Sequence, residues 1–419
     1  MLTEAPPNTS DPQTPMQPNS PLEFNPLLPE FRQNPYPTYH RFRDADPVHW
    51  SEFFGFWVIT RYDDIVTMLR HSKASANPRD WERFDDYVES LGGTGPAGDM
   101  QARWMLLKNP PDHTRLRKLV TKAFTPRVVE NMRPHIQTIV DDLLDPIQAK
   151  SNFDIIADLA FPLPVIVIAE LIGVPTKDRD QFKEWTGALA RSLDPVITPD
   201  ISAAADRATE AFIDYFTRLV AERRAHPQQD LLSGLIAAEE EGDKLDEDEL
   251  LATAILLFAA GHETTMNLIG NGMLALLRNP DQLAKLQADP ALIDTAVEEF
   301  LRYDGSVQVT ARVALEDIEL GGKTIRKNQQ SLLLLGAANH DPAHFPDPDR
   351  LDITRQDNTQ LTFSHGIHHC LGAPLARVEA QLAINTLLRR MPNMRLATPK
   401  LEWRDMLTLR GLKALPVIC

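Results

Sequence analysis

Apolar residues recur at helical spacing over five long stretches, Asp63 to His71, Pro126 to Ala149, Ala203 to Ala225, Glu247 to Arg278 and Pro374 to Met391. Each is predicted to be a helix, because spacings of three and four residues line one face of the turn. Strand patterns cluster in two places. VHWSEFFGFWVIT, Val48 to Thr60, reads as a hairpin; Val307, Val309, Ala311, Val313 and Leu315 alternate before Gly321-Gly322 turns the chain toward the apolar run Leu332 to Leu335. Between Lys73 and Pro111, Gly and Pro punctuation predicts a long loop with at most one short helix, and a loop of that length usually has a task such as covering a pocket. The most apolar stretch, Ile155 to Val174, contains Asp158, Pro162, Pro164 and Glu170, which fits a buried helix, a break and another helix better than a membrane span.

The segment from Asp246 to Arg278 is long enough, at about 50 Å, to cross an entire domain. Asp246 is placed to cap it, with Glu249 three residues on. Midway, Gly261 weakens the helix, and the Thr264 hydroxyl is in register to bond the Ala260 carbonyl, opening a local groove. An acid, Glu263, beside that hydroxyl in so apolar a helix points to proton delivery toward a bound small molecule; the plainer alternative is a buried helix with a tolerated glycine.

Composition narrows the setting. The 419 residues are 43% hydrophobic, enough for a large core. Residues 1–22 form a proline-rich leader expected to be disordered, and residues 23–419 are read as one domain of mainly helical character with small β-sheets. A formal net charge of −16 argues against a nucleic-acid partner, and two cysteines cannot build a disulfide framework, so a cytoplasmic protein without a transmembrane segment is expected. The start of the chain lacks the basic and apolar regions of a signal peptide.

Phe363 to Gly372, FSHGIHHCLG, holds three histidines and Cys370 just ahead of the last predicted helix. A helix N-terminus favours thiolate, so the expected pKa of Cys370 is lowered. Four readings stand at this point: a structural thiol, a zinc ligand with His365, His368 and His369, a Cys-His nucleophile, or the thiolate ligand of a heme. Zinc sites usually draw on two separated knuckles, and no second cysteine lies nearby.

Taken with the rest of the chain, these residues resemble the cytochrome P450 superfamily. Phe363-Ser-His-Gly366-Ile-His368-His-Cys370-Leu-Gly372 is similar to its heme-binding signature, and Ala260-Gly261-His-Glu263-Thr264-Thr265 to its oxygen-activation motif. Glu299-Phe-Leu-Arg302 is similar to its Glu-x-x-Arg motif and is followed by the Pro-rich segment carrying Arg350. Ser364 stands where glycine is frequent in the signature. The resemblance runs from about Phe24 to the C-terminus and is nearest to soluble bacterial members.

The resemblance implies the P450 fold, a triangular helix-rich domain whose long central helix crosses heme b. It makes Cys370 the axial thiolate, whose electron donation favours O–O cleavage, and Thr264 and Glu263 the catalytic pair acting on bound O2. His113, Arg117, Arg312 and His368 would hold the heme propionates, while Glu299, Arg302 and Arg350 would form a buried network supporting the cysteine loop. His365 and His369 are left out of the site. Trp81, Phe84, Tyr87, Leu256, Ala259, Val309, Thr310 and Leu409 would line a mainly apolar substrate pocket. The implied activity is monooxygenation of a hydrophobic small molecule (terpenoid, steroid, fatty acid or polyketide) by a monomer fed with electrons from a ferredoxin or flavodoxin and its NAD(P)H reductase. A peroxide-driven peroxygenase or isomerase and a non-enzymatic heme sensor are the alternatives. Arg115, Arg117, Lys118, Lys122, Arg127 and Arg133, opposed only by Glu130, form a basic exception in an acidic chain and a candidate docking face for the acidic redox partner.

Overall fold

The computed structural model describes residues 22–419 apart from 176–177, 179–180 and 241–244; the leader expected over residues 1–22 lies, but for Leu22, outside the described residues. The organising element is the helix Glu247–Arg278. The expected capping box forms at its start, with the Asp246 carboxylate accepting from the Glu249 N–H at 2.7 Å and the Glu249 carboxylate accepting from the Asp246 N–H at 3.2 Å. Nearly every residue from Leu250 to Leu276 is buried, as expected of a helix that is apolar all round. The helices Pro162–Ile172, Phe182–Arg191, Pro199–Ala225, Ile293–Tyr303 and Ala373–Arg390 pack around it. Three of its glycines are closely packed: a Cβ at Gly261 would lie 2.9 Å from Ile168, one at Gly270 2.4 Å from Ile156, and one at Gly272 2.8 Å from the Phe300 ring.

The other expected helices form with shifted ends. They run Tyr62–Arg70, Pro126–Leu144, Pro199–Ala225 and Ala373–Arg390. Thr198 caps the third of these, accepting from the Ile201 N–H, so the helix starts four residues before the apolar pattern does. The Ile155–Val174 stretch is a π-helical turn, Ile156–Ala160, followed by the helix Pro162–Ile172. Gly173 ends that helix at φ +100°, the left-handed cap that glycine adopts most easily. Lys73 to Pro111 carries more structure than a loop with one helix: the strand Ala74–Ser75, the helices Phe84–Ser90 and Pro96–Gln101, and two 3-10 turns. Short segments stabilised by tertiary packing carry too little periodicity to be seen along the chain.

Two distant strand regions join in one five-stranded sheet. Val48–Ser51 and Phe56–Ile59 make the expected hairpin, and Phe56–Ile59 pairs in parallel with Gln330–Leu334. Gln330–Leu334 pairs antiparallel with Val309–Ala314, and Ala74–Ser75 closes the far edge. Gly321-Gly322 does not turn Val309–Ala314 directly onto its partner; it closes a separate ribbon of Ile318–Leu320 and Lys323–Ile325. The architecture is mainly α with small β-sheets, as expected. Among the described residues no helix is long and apolar enough to cross a membrane.

Candidate active site

Cys370 lies three residues before the start of the helix Ala373–Arg390, on a loop held by its own backbone: the Cys370 N–H donates to the Phe363 carbonyl at 2.9 Å and the His369 N–H to the Gly366 carbonyl at 3.1 Å. Gly366 has φ +72°, and a Cβ there would sit 2.8 Å from the Leu69 carbonyl, so the loop abuts the helix Tyr62–Arg70 through a residue that must be glycine. Ser364 has φ +61°, the backbone region that explains why glycine is frequent at this place in the signature. Cys370 keeps an exposed surface. Its thiol pKa is nonetheless raised, not lowered as expected: crowding by protein atoms outweighs the N–H groups of Gly372 and Ala373 and the guanidiniums of Arg117 and Arg377.

Beside this loop the structure gathers His113, Arg117, Arg312 and His368. The His113 and His368 rings are 4.3 Å apart, and neither nitrogen of the buried His113 has a hydrogen-bond partner. Arg312 is buried, donating to its neighbouring Ala311 carbonyl at 2.7 Å and to the Thr310 hydroxyl at 3.4 Å, while Arg117 donates to the His369 carbonyl at 2.6 Å. Among the described residues neither guanidinium has a carboxylate partner. Burial lowers Arg312 to about 10, and burial together with the charges of Arg312, His113 and Arg117 lowers His368 to about 3. The cluster is an electrostatic deficit that anions would correct.

The central helix carries Thr264, whose hydroxyl donates to the Ala260 carbonyl at 3.1 Å, as its spacing predicts. Ala259, Ala260, Gly261 and Thr264 interrupt the otherwise buried helix with a partly uncovered stripe. Glu263 points elsewhere. It is buried in an ion pair with Arg404 from the C-terminal segment, with one carboxylate oxygen unpartnered. Burial pushes its pKa up to about 7 against the pull of Arg404. Arg404 is absent from the sequence-based site: a buried acid calls for a counter-charge, but nothing along the chain indicates a partner so far away.

The Glu299-Arg302 pair is fully buried, with both contacts at 2.8 Å. Arg302 also donates to the carbonyls of Asn339, Pro348 and Arg350. The expected third member is corrected here: Arg350 contributes its backbone carbonyl and its side chain is exposed, whereas the Arg355 side chain donates to Glu299 at 3.1 Å. The Pro-rich segment wraps the pair so that Asp352 N–H, Arg355 and Asn358 face Glu299. Spacing does not distinguish two arginines five residues apart in an irregular segment.

The family profile described as Cytochrome P450 matches residues 50–393. The chain belongs to the cytochrome P450 family. It is 46% identical to Cytochrome P450 CYP107DY1 of Priestia megaterium, over 88% of this chain and 91% of the relative. It is 44% identical to the Biotin biosynthesis cytochrome P450 of Bacillus subtilis, over 93% of this chain and 97% of that one. Among solved structures, P450BioI in complex with a hexadec-9Z-enoic acid ligated acyl carrier protein superposes with a TM-score of 0.87 at 44% identity, covering 93% of this chain and 99% of that chain. This P450 is therefore an oxidoreductase of monooxygenase type with heme b as its cofactor.

The residues of this P450 fit that cofactor: an accessible thiol stands beside four nitrogen donors that lack anions, matching an iron ligand and two propionates. The expected substrate residues are less well gathered. Trp81 and Tyr87 pack together at 6.1 Å, Phe84 lies under Arg79, and Leu256 and Leu409 are buried. Val309 belongs instead to the aromatic cluster of Phe24, Phe31, Tyr39 and Phe42, and Thr310 meets Arg312. A cavity of about 690 Å³ lies between the N-terminal segment, the start of the helix Pro199–Ala225 and the C-terminal turn. Phe31, Tyr39, Arg191, Asp194, Gln308 and Leu407 are among its lining, and none of the eight expected residues is. Strand alternation identifies two faces but not which one meets a cavity.

Proposed function

We propose that this P450 inserts one atom of O2 into an amphipathic acyl or polyketide-like small molecule, drawing electrons from a separate ferredoxin or flavodoxin and its NAD(P)H reductase, as a cytoplasmic monomer. The anion-deficient cluster of His113, Arg117, Arg312 and His368 beside Cys370 carries the reading, because it has the composition for seating a dianionic heme next to a thiolate ligand. When bound, heme b supplies dioxygen binding and activation at its iron.

The remaining roles fall to the chain. Cys370 would hold the iron as a thiolate, with burial opposing the negative charge and the N–H groups of Gly372 and Ala373 favouring it. Ala260, Gly261 and Phe363 would border the macrocycle, and Gly366 and Gly372 let the loop approach it. The Thr264 hydrogen goes to the Ala260 carbonyl, so its oxygen on the uncovered stripe would accept from, and so orient, the group that carries a proton inward. Glu263, near neutrality and released from Arg404, would replenish that proton from solvent. Two electrons and two protons balance the reaction, leaving hydroxylated product and water. The acyl or polyketide class is supported by relatives such as the Polyketide biosynthesis cytochrome P450 PksS and by the likeness to P450BioI, solved with a hexadec-9Z-enoic acid ligated acyl carrier protein.

On the basic segment, Arg115 is engaged by Glu249 and Arg133 by Glu130. Lys118, Lys122 and Arg127 are exposed and without a carboxylate partner among the described residues, which makes them the cations available to an acidic redox protein.

Absorption of the dithionite-reduced protein with and without carbon monoxide tests the proposal. A strongly red-shifted Soret band is expected from thiolate ligation; a histidine-like band would overturn the assignment of Cys370. Titration of the ferric protein with acyl chains is expected to shift the iron spin state, and no response to any of them would remove the substrate class.

A further inference from the structure

His40, His340 and Asp349 bring two imidazoles and a carboxylate together outside the catalytic residues. His40 sits on the helix Tyr36–Ala45, His340 follows the short helix after the strand Gln330–Leu334, and Asp349 lies in the Pro-rich segment. One ligand atom from each falls within 4.8 Å of the others. His340 Nε2 is 2.9 Å from the Tyr303 carbonyl, which only accepts, so Nε2 carries a hydrogen. A neutral His340 then turns its Nδ1 lone pair toward Asp349 Oδ1 at 2.8 Å. Two lone pairs at that distance repel unless a cation lies between them.

That cation is a proton or a metal ion, and the second imidazole separates the two. His40 Nε2 approaches the same carboxylate oxygen at 3.1 Å without forming a hydrogen bond. A proton on His340 Nδ1 would satisfy that contact alone, and His40 Nε2 would still have no hydrogen-bond partner. The Arg43 guanidinium lies nearby, donating to the His340 carbonyl at 2.7 Å. Asp44 is the other acid near His40, and the Tyr36 ring covers His340 at 4.2 Å.

We propose that His40, His340 and Asp349 bind a zinc-class divalent transition ion. Two neutral imidazoles and one carboxylate suit such an ion, and the exposed Asp349 leaves room for a water as fourth ligand. Tetrahedral coordination at usual bond lengths separates ligand atoms by about 3.3 Å; the two nitrogen–oxygen contacts are 2.8 and 3.1 Å, and all three ligand atoms lie within 4.8 Å of one another. The His340 N–H donated to a backbone carbonyl is the outer contact that metal-bound histidines commonly make. The ion would tie the N-terminal helix to the segment whose Pro348 and Arg350 carbonyls hold Arg302. Its role is therefore structural, and the site is independent of the substrate and redox reading above.

The test is equilibrium dialysis of the tag-free, heme-loaded, full-length protein against zinc chloride after chelator treatment, with metal analysis and thermal unfolding. Expected are uptake of about one zinc per chain and a zinc-dependent rise in Tm, with affinity reduced about tenfold or more in both His40→Ala and Asp349→Asn. Both substitutions are at partly or fully exposed positions and avoid the buried His340, so folding is checked by the unchanged heme spectrum. Magnesium, which seeks oxygen ligands, is expected not to compete. No uptake by the unaltered protein would assign the cluster to an imidazolium-carboxylate pair, and uptake unchanged in both variants would place the zinc elsewhere; either result overturns the proposal.

Discussion

Adjacent residues on the central helix, His262 and Glu263, are driven apart by the same burial. It lowers the histidine to about 4 and raises the acid to about 7, because in each case the charged form loses its water. A carboxyl near 7 is matched to proton transfer at neutral pH. Arg404 favours the ionised acid, so Arg404→Gln removes that pull and raises the Glu263 pKa further. Product formation that needs the Glu263 proton falls as pH rises through about 7 in the native enzyme, and the fall is expected to move to higher pH in the variant. A pH profile of product per reductant consumed reads this directly; an unmoved alkaline limb would mean that another group controls the proton. Thr264→Ala removes the hydroxyl on the uncovered stripe. Product is expected to drop on the order of 100-fold while NAD(P)H is still oxidised and peroxide appears. Turnover driven by added peroxide should survive, and equal loss of both routes would favour a role in folding over one in proton positioning.

The central helix owes its start to chemistry that is local in sequence and its middle to chemistry that is not. Asp246 and Glu249 satisfy one another's backbone N–H groups, and Asp246→Ala is expected to destabilise the protein by about 1 kcal/mol, seen as a lower midpoint in urea with an unchanged slope. A loss much below that would mean that the tertiary contacts of this end hold it without the cap. Helix existence was legible for all five long periodic segments, since each buries one face or all faces. Ends were less so, as Thr198 shows by starting its helix before the apolar pattern begins. The segment Lys73 to Pro111 was the largest misreading: its helices Phe84–Ser90 and Pro96–Gln101 are too short to display a period.

At the scale of the whole molecule, the chain's formal net charge of −16 contrasts with the basic segment from Arg115 to Arg133. With Arg115 and Arg133 already paired, Lys118→Glu combined with Lys122→Glu is expected to slow reduction by the redox partner, with the loss largest at low salt, and to leave substrate affinity unchanged. Stopped-flow reduction and spin-state titration separate these effects; unchanged reduction kinetics would remove this face from partner docking. Long-range pairing also decides the supports of the site. Glu299 and Arg302 are i,i+3 neighbours and were readable as a pair, whereas Arg355 reaches Glu299 only because the Pro-rich segment folds back over it.

The sequence by itself determined the residue types available to donate and accept, the family to which they belong, the helix that carries Thr264 and the helix that follows Cys370, because these follow from side-chain chemistry and from periods of a few residues. Tertiary structure alone decided that Arg404 faces Glu263, that Arg355 replaces the Arg350 side chain, that crowding raises the Cys370 thiol's pKa, that Val309 enters an aromatic core, and that His40, His340 and Asp349 meet. Contacts of that kind are set by how elements pack across hundreds of residues, and desolvation has no value until the packing exists.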